Sequence, residues 1–297
     1  MKEDPFYIFF LHMFSDLGSK LEDEGLGVFD GKPIEHYGNT LVMDLFDLNV
    51  EHIETEAAII INVWMWCVHE LYNVLRACGQ KDVDSQSKMN AALDIAAALW
   101  IGTDQLKEDS NSGYLLYHLA EEARAPFSQA SSEAGVNSNI LFRFHDIQSK
   151  ITLGICTSDP DGYIKIRSII KQLLGLMTVP LVQKLIHHIM KSTENNNSDF
   201  IELYTLAIAA RVEVCNATAF AAMLPLFIEG DFKKENISEA IKLIQSIYPC
   251  LDMSYNDVGN YRTGEEFIDD STQIKNLAGY SPTYNVKQVR FDRLFCD

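Results

Sequence analysis

From about Val50 onward the chain alternates apolar runs of helical spacing with short polar breaks. Apolar residues that recur every three or four positions form one face of a helix. The pattern predicts a long helix over 50–79, "VEHIETEAAIIINVWMWCVHELYNVLRACG", with Gly79 as its C-cap. A second follows over "SKMNAALDIAAALWIG", ending at Gly102, and a third over "YLLYHLAEEARAPF", closed by Pro126. After a Ser/Ala/Gly linker at 128–137 come "NILFRFHDIQSKITLGI", "YIKIRSIIKQLLGLM" and "TVPLVQKLIHHIMKS". Pro180 falls in the first turn of the last of these, where its missing N–H is tolerated. "DFIELYTLAIAARVEVC", "NATAFAAMLPLFIEG" and "NISEAIKLIQSIYPC" complete the set, with Asn236 placed to cap against Glu239.

No alternating run reads as a strand. Short loops between amphipathic helices argue for antiparallel packing. The expected fold is all-α: two related helical-bundle halves, 49–130 and 131–258, packed as one compact unit. An N-terminal extension over 1–48 precedes them, and an irregular tail over 259–297 follows. With 297 residues, 47% of them hydrophobic, the chain can bury a large core.

Charge narrows the partners. There are 42 acids against 24 Lys and Arg, a net charge of −18. Such a surface repels nucleic acid and anionic lipid and attracts cations, although solubility alone is the plainer use of it. The six cysteines form no CxxC pair, so zinc ribbon and thioredoxin motifs are absent. N-x-S/T acceptors at Asn196, Asn216 and Asn236 lean faintly toward secretion. The opening "MKEDPFYIFFLHMF" makes a poor signal peptide, which reads as a cytosolic protein or one whose leader lies outside this sequence. The longest apolar block, 57–68, is interrupted by Asn62 and falls short of the roughly 20 residues that span a bilayer, so no membrane span is expected.

Candidate chemistry rests on polar residues inside apolar helices. Asp94 shares a helix face with Ala91, Ala97, Ala98 and Ile101. A carboxylate buried there needs a cation, a metal or hydrogen-bond donors, and an ion pair or cap across the bundle would serve as well as a metal. Arg211, at the end of an apolar run, is one available partner. Tyr117 and Glu121 stand four residues apart on one face, His118 and Glu121 make an HxxE, and His118 and Glu122 are a second i, i+4 pair. His69 and Glu70 are adjacent donors, while His187 and His188 point to different faces. Glu, Asp, His and Tyr side chains from several helices can assemble an iron site, and hard oxygen ligands suit ferric iron. None of these spacings is specific, and a packing or surface role is the favoured reading for each His. No phosphate-binding loop, nucleophile elbow, HExxH or EF-hand loop is present, which argues against an enzyme.

Several segments, in order, resemble the algal low-iron-inducible periplasmic protein family of iron-assimilation proteins. They are "ALDIAAALWIG" (92–102), "LLYHLAEEARAPF" (115–127) and "LMTVPLVQ" (176–183), with "AARVEVC" (209–215) and "YPCLDMSYNDVGN" (248–260) as further similar pieces. The resemblance implies a secreted, periplasmic or cell-surface helical protein that assists ferric iron uptake and catalyses nothing. Related phytotransferrins bind Fe(III) together with carbonate. On that analogy Asp94, Tyr117 and Glu121 are expected metal ligands and Arg211 the anion-binding residue; His69 and Glu70 join the metal set on chemistry alone. A cell-surface protein is an expected partner. The rival expectation is a non-catalytic structural or interaction protein of the algal surface or carbon-concentrating system.

Overall fold

The computed structural model describes residues 53–81, 84–105, 112–128, 135–192, 197–228 and 232–263, together with 28–29, 32–33, 42–43, 45 and 266–267. The fold is all-α, as the periodicity predicts. Helix α1 runs unbroken over Ile53–Gln80. Its Ala58–Val63 turn is π-helical, and the Trp64 N–H reaches back five residues to Ile59 O. One extra residue in the turn rotates the Ile53–Ala57 end by roughly 100° relative to the rest of the helix. Gly79 is not the cap. The helix continues to Gln80, and Lys81 takes the left-handed conformation at φ 56°. The last turn is held by the Cys78–Cys156 disulfide, and that tether outweighs the local preference for glycine at the stop.

Helix α2 (Ser85–Ile101) folds back along α1 and ends at Gly102, whose φ of +80° favours glycine. Helices α3 (Leu116–Arg124), α4 (Val136–Thr152) and the short α5 (Ile155–Ser158) follow. Two expected helices are one. Helix α6 spans Gly162–Lys191 with Pro180 in its interior. An interior proline costs about 3 kcal/mol in an exposed helix. Here every residue from Leu173 to Ile186 except Leu176 and Lys184 is buried, and that burial outweighs it. A helix apolar all round is a central helix. α6 packs against α1, α3, α4 and α5, and also against α7 (Ser198–Cys215), α9 (Ile237–Ser246) and α10 (Tyr255–Val258). Its neighbours come from both sides of residue 130, and the buried apolar residues form one cluster. α1 and α6 are each long and apolar enough to cross a membrane, and about two thirds or more of their most apolar stretch is buried against other helices.

Asn216 caps α8 (Ala217–Phe227) by accepting from Ala219 N–H at 3.0 Å. Asn236 makes no side-chain cap to α9: its own backbone is already helical, and a cap residue must sit outside the helix to reach the first turn. Strands do occur, all short. β1 (Val28–Phe29) pairs with β2 (Lys32–Pro33). β3 (Phe127–Ser128), β4 (Asn260–Thr263) and β5 (Glu266–Phe267) form an antiparallel ribbon. Two-residue strands have no period to read, and β4 orders residues expected to be irregular. Most of the expected extension over 1–48, and the tail from 268 on, lie outside the described residues. A second disulfide, Cys215–Cys250, ties the end of α7 to the turn after α9.

Candidate functional site

The expected His and acid ligands are not grouped as a metal site among the described residues. Asp94 is exposed on α2 rather than turned into the bundle, so the need for a buried partner disappears. The sequence misleads here because the small Ala91 and Ala98 beside it are exposed as well. Glu121 is held by Asn137 of α4, which donates to its Oε1 at 2.7 Å, and by Arg124 at 3.7 Å. Asn137 also donates to Tyr117 O and accepts from the Trp100 indole, both at 3.0 Å. The Tyr117 phenol is half-buried, and burial followed by the Glu121 charge pushes its pKa upward. His69 and Glu70 are both buried on α1, and both engage Asn73, at 3.0 and 3.2 Å. Glu70 adds to the effect of burial in pushing the Cys67 thiol up. Among the described residues no three His, Cys, Asp or Glu side chains are grouped to hold a metal ion.

Arg211 is committed elsewhere. Its Nη1 donates to Leu174 O at 2.8 Å and to Thr178 Oγ1, and its Nη2 to Leu251 O at 3.2 Å. Burial lowers its pKa, against the pull of Tyr72 and Asp252. The guanidinium thus ties α7 to α6 and to the turn after α9. Asp94, being exposed, is not the buried partner that an Asp94–Arg211 pair requires.

A different polar group gathers at the edge of the core. Lys184 interrupts the buried stretch of α6, with its side chain only 13% exposed. Its Nζ lies 3.0 Å from Glu56 Oε1 and 3.5 Å from Glu122 Oε2. Glu56 also accepts a hydrogen bond from the Tyr204 hydroxyl of α7. Tyr204 is fully buried, and burial, reinforced by Glu56 and Glu122, pushes its pKa well up. His118 pairs with Glu122 at 3.7 Å. His188 stacks flat on Phe200, with centroids 4.5 Å apart, and more loosely on Tyr204. Burial, with His187 and Lys184 adding, drives its pKa down to about 3, so it is neutral. The buried His188 Nε2 and His118 Nδ1 have no hydrogen-bond partner. Over one side lies the ribbon: Tyr261 of β4 meets His187 Nδ1 at 3.1 Å and packs edge-on against Phe127 of β3.

Four helices therefore contribute to the group: Lys184 pairs with two carboxylates, Tyr204 and His118 each engage one of them, and His188 stacks on Tyr204. The i, i+4 pair of His118 and Glu122 was the one readable signal for it. Glu121 and Glu122 divide the work, the first facing α4 and the second α6. Glu56 was not readable, because the π turn that rotates its end of α1 leaves no mark in the periodicity. Tyr204 and Lys184 sit in apolar runs that look like plain core.

Two carboxylates and a phenol are hard oxygen donors and suit a trivalent cation; the ammonium among them does not. No family model matches the chain, and no match is found among curated proteins or solved structures.

Proposed function

We propose that this chain is a non-catalytic protein that binds ferric iron outside the cytoplasm for uptake, with carbonate as a co-bound anion. The observation that carries the reading is the pair Glu56 and Glu122, presented with the Tyr204 hydroxyl by three different helices at the edge of the core. The ligands are assigned to these three residues in place of Asp94, Tyr117 and Glu121. The resemblance to the algal iron-assimilation family supports it. So do two disulfides, which persist in oxidising compartments, and the −18 net charge, which draws cations in.

A titration with ferric nitrilotriacetate, with and without bicarbonate, tests it by visible absorption. We expect stoichiometric uptake and a tyrosinate-to-iron band that Tyr204→Phe removes and Tyr117→Phe leaves. A silent titration in both buffers refutes it. A second reading, a structural or interaction protein of the algal surface or carbon-concentrating system, is favoured by one observation: Lys184 already neutralises Glu56, as a brace in the fold would. On that reading both Tyr variants titrate as the parent does, with no uptake.

A further inference from the structure

We infer that Asn216 and Asn236, at the starts of α8 and α9, are N-glycosylation sites. The inference rests on the extracytoplasmic part of the proposed function and on none of its iron chemistry. The three N-x-S/T acceptors all fall between 196 and 236, and none has Pro at its middle position. Asn196 lies outside the described residues. The other two can be judged by what a linked glycan demands: an amide nitrogen the fold does not use, with open surface beside it.

Asn216 meets both demands. It stands half-buried between α7 and α8, with a non-helical backbone at φ −148° and ψ 80°. Its side-chain oxygen accepts from Ala219 N–H at 3.0 Å. That bond fixes which way the amide points, because its nitrogen is a donor and cannot accept from an N–H. The nitrogen has no hydrogen-bond partner among the described residues, and Cys215, Ala217 and Thr218 around it are exposed. A linked glycan keeps the amide oxygen, so the cap on α8 survives modification. Asn137 is the opposite case: it is buried, and its nitrogen is spent on Tyr117 O at 3.0 Å and Glu121 Oε1 at 2.7 Å. Asn236 ends the 3-10 turn Lys234–Asn236 and makes no cap bond. Lys233, Lys234, Glu235, Ser238 and Glu239 about it are all exposed. Asn216 also follows Tyr204 by about three turns of chain, roughly 18 Å, so sugar there stands clear of the Lys184 cluster.

The transfer is a substitution at carbon. The Asn Nδ2 attacks the anomeric carbon of a lipid diphosphate-linked oligosaccharide. The N–C bond forms as the C–O bond to the diphosphate breaks. The amide proton passes to a base of the transferase, and the lipid diphosphate leaves with the bonding pair. Nothing is oxidised or reduced. Such transfer belongs to the compartments in which the two disulfides form.

The test takes the full-length chain from its native cells and treats it with peptide N-glycosidase, followed by peptide mass spectrometry. The enzyme removes each glycan and converts its Asn to Asp, itself a good N-cap, so the treated protein keeps its fold. We expect a loss of mass on treatment, with Asp found at positions 216 and 236. Thr218→Ala and Ser238→Ala variants, expressed in the same cells, should each lose one glycan. Thr218→Ala keeps the Asn216 cap, so its Tm after treatment should match the treated parent's. Asn216→Ala removes glycan and cap together and should unfold at lower temperature. Bare Asn at both positions, in protein whose two disulfides are formed, overturns the inference and leaves the extracytoplasmic reading standing. A glycan at only one position overturns the assignment of the other. Free thiols at Cys78, Cys156, Cys215 and Cys250, trapped by alkylation, with both Asn bare, overturn the inference and the extracytoplasmic reading together.

Discussion

Gly175 sits inside α6, and replacing it with alanine sets two effects of opposite sign against each other. On helix propensity alone the change stabilises by about 1 kcal/mol, because glycine is the weaker helix former. The tertiary structure reverses that. A methyl group built at Gly175 runs into Asp252 O and lies 3.0 Å from the Asp252 carbonyl carbon. The obstacle is backbone, in a turn where Asp252 itself takes a positive φ of 59° and the neighbouring Cys250 is fixed by its disulfide to Cys215. It has little freedom to step back. Overpacking of this kind costs roughly 1–3 kcal/mol. Pushing the turn outward also stretches the Arg211 bond to Leu251 O, and a hydrogen bond from a charged donor contributes about 1.5–3 kcal/mol. The clash outweighs the propensity gain, for a net loss of about 2–3 kcal/mol. In a domain of this size that lowers Tm by roughly 5–10 °C. Thermal unfolding followed by circular dichroism reads it directly. A Tm equal to or above the parent's would refute the reasoning. An Arg211→Met, Gly175→Ala double variant should fall short of the sum of the singles, since both act on the Leu251–Asp252 turn.

Three further outcomes are expected. Chain-entropy arguments give about 4 kcal/mol for each disulfide, slightly more for Cys78–Cys156 than for Cys215–Cys250 because it closes 78 residues rather than 35; urea unfolding of Cys78→Ala/Cys156→Ala and Cys215→Ala/Cys250→Ala variants should rank in that order. His188 has a folded pKa of about 3, below its unfolded value near 6.5, so the unfolded chain takes up the extra proton and stability falls as pH drops from about 6.5 toward 3. His188→Phe, which keeps the stack on Phe200, should flatten that slope in chelated protein, and an unchanged slope would place the proton uptake elsewhere. Asp94→Asn should leave the unfolding free energy, read by urea denaturation, within about 0.5 kcal/mol of the parent's and ferric binding untouched, because its side chain is exposed.

The sequence by itself determined most of the helices and the fold class. Runs such as Ser85–Ile101, stopped at Gly102, are local facts, since a 3.6-residue apolar period and a glycine at positive φ need no distant partner to be legible. Tertiary structure decided what those elements are used for. Pro180 looks like a helix start, yet burial of the whole Leu173–Ile186 stretch carries the helix through it. Asp94 and Glu122 are both acids within helices, and only packing shows that one faces solvent while the other faces Lys184. Glu56 reaches the cluster through a π turn, a rotation of one residue that hydrophobic periodicity does not record. Where a buried charge finds its counter-charge depends on residues 62 and 128 positions away, and no local pattern carries that distance.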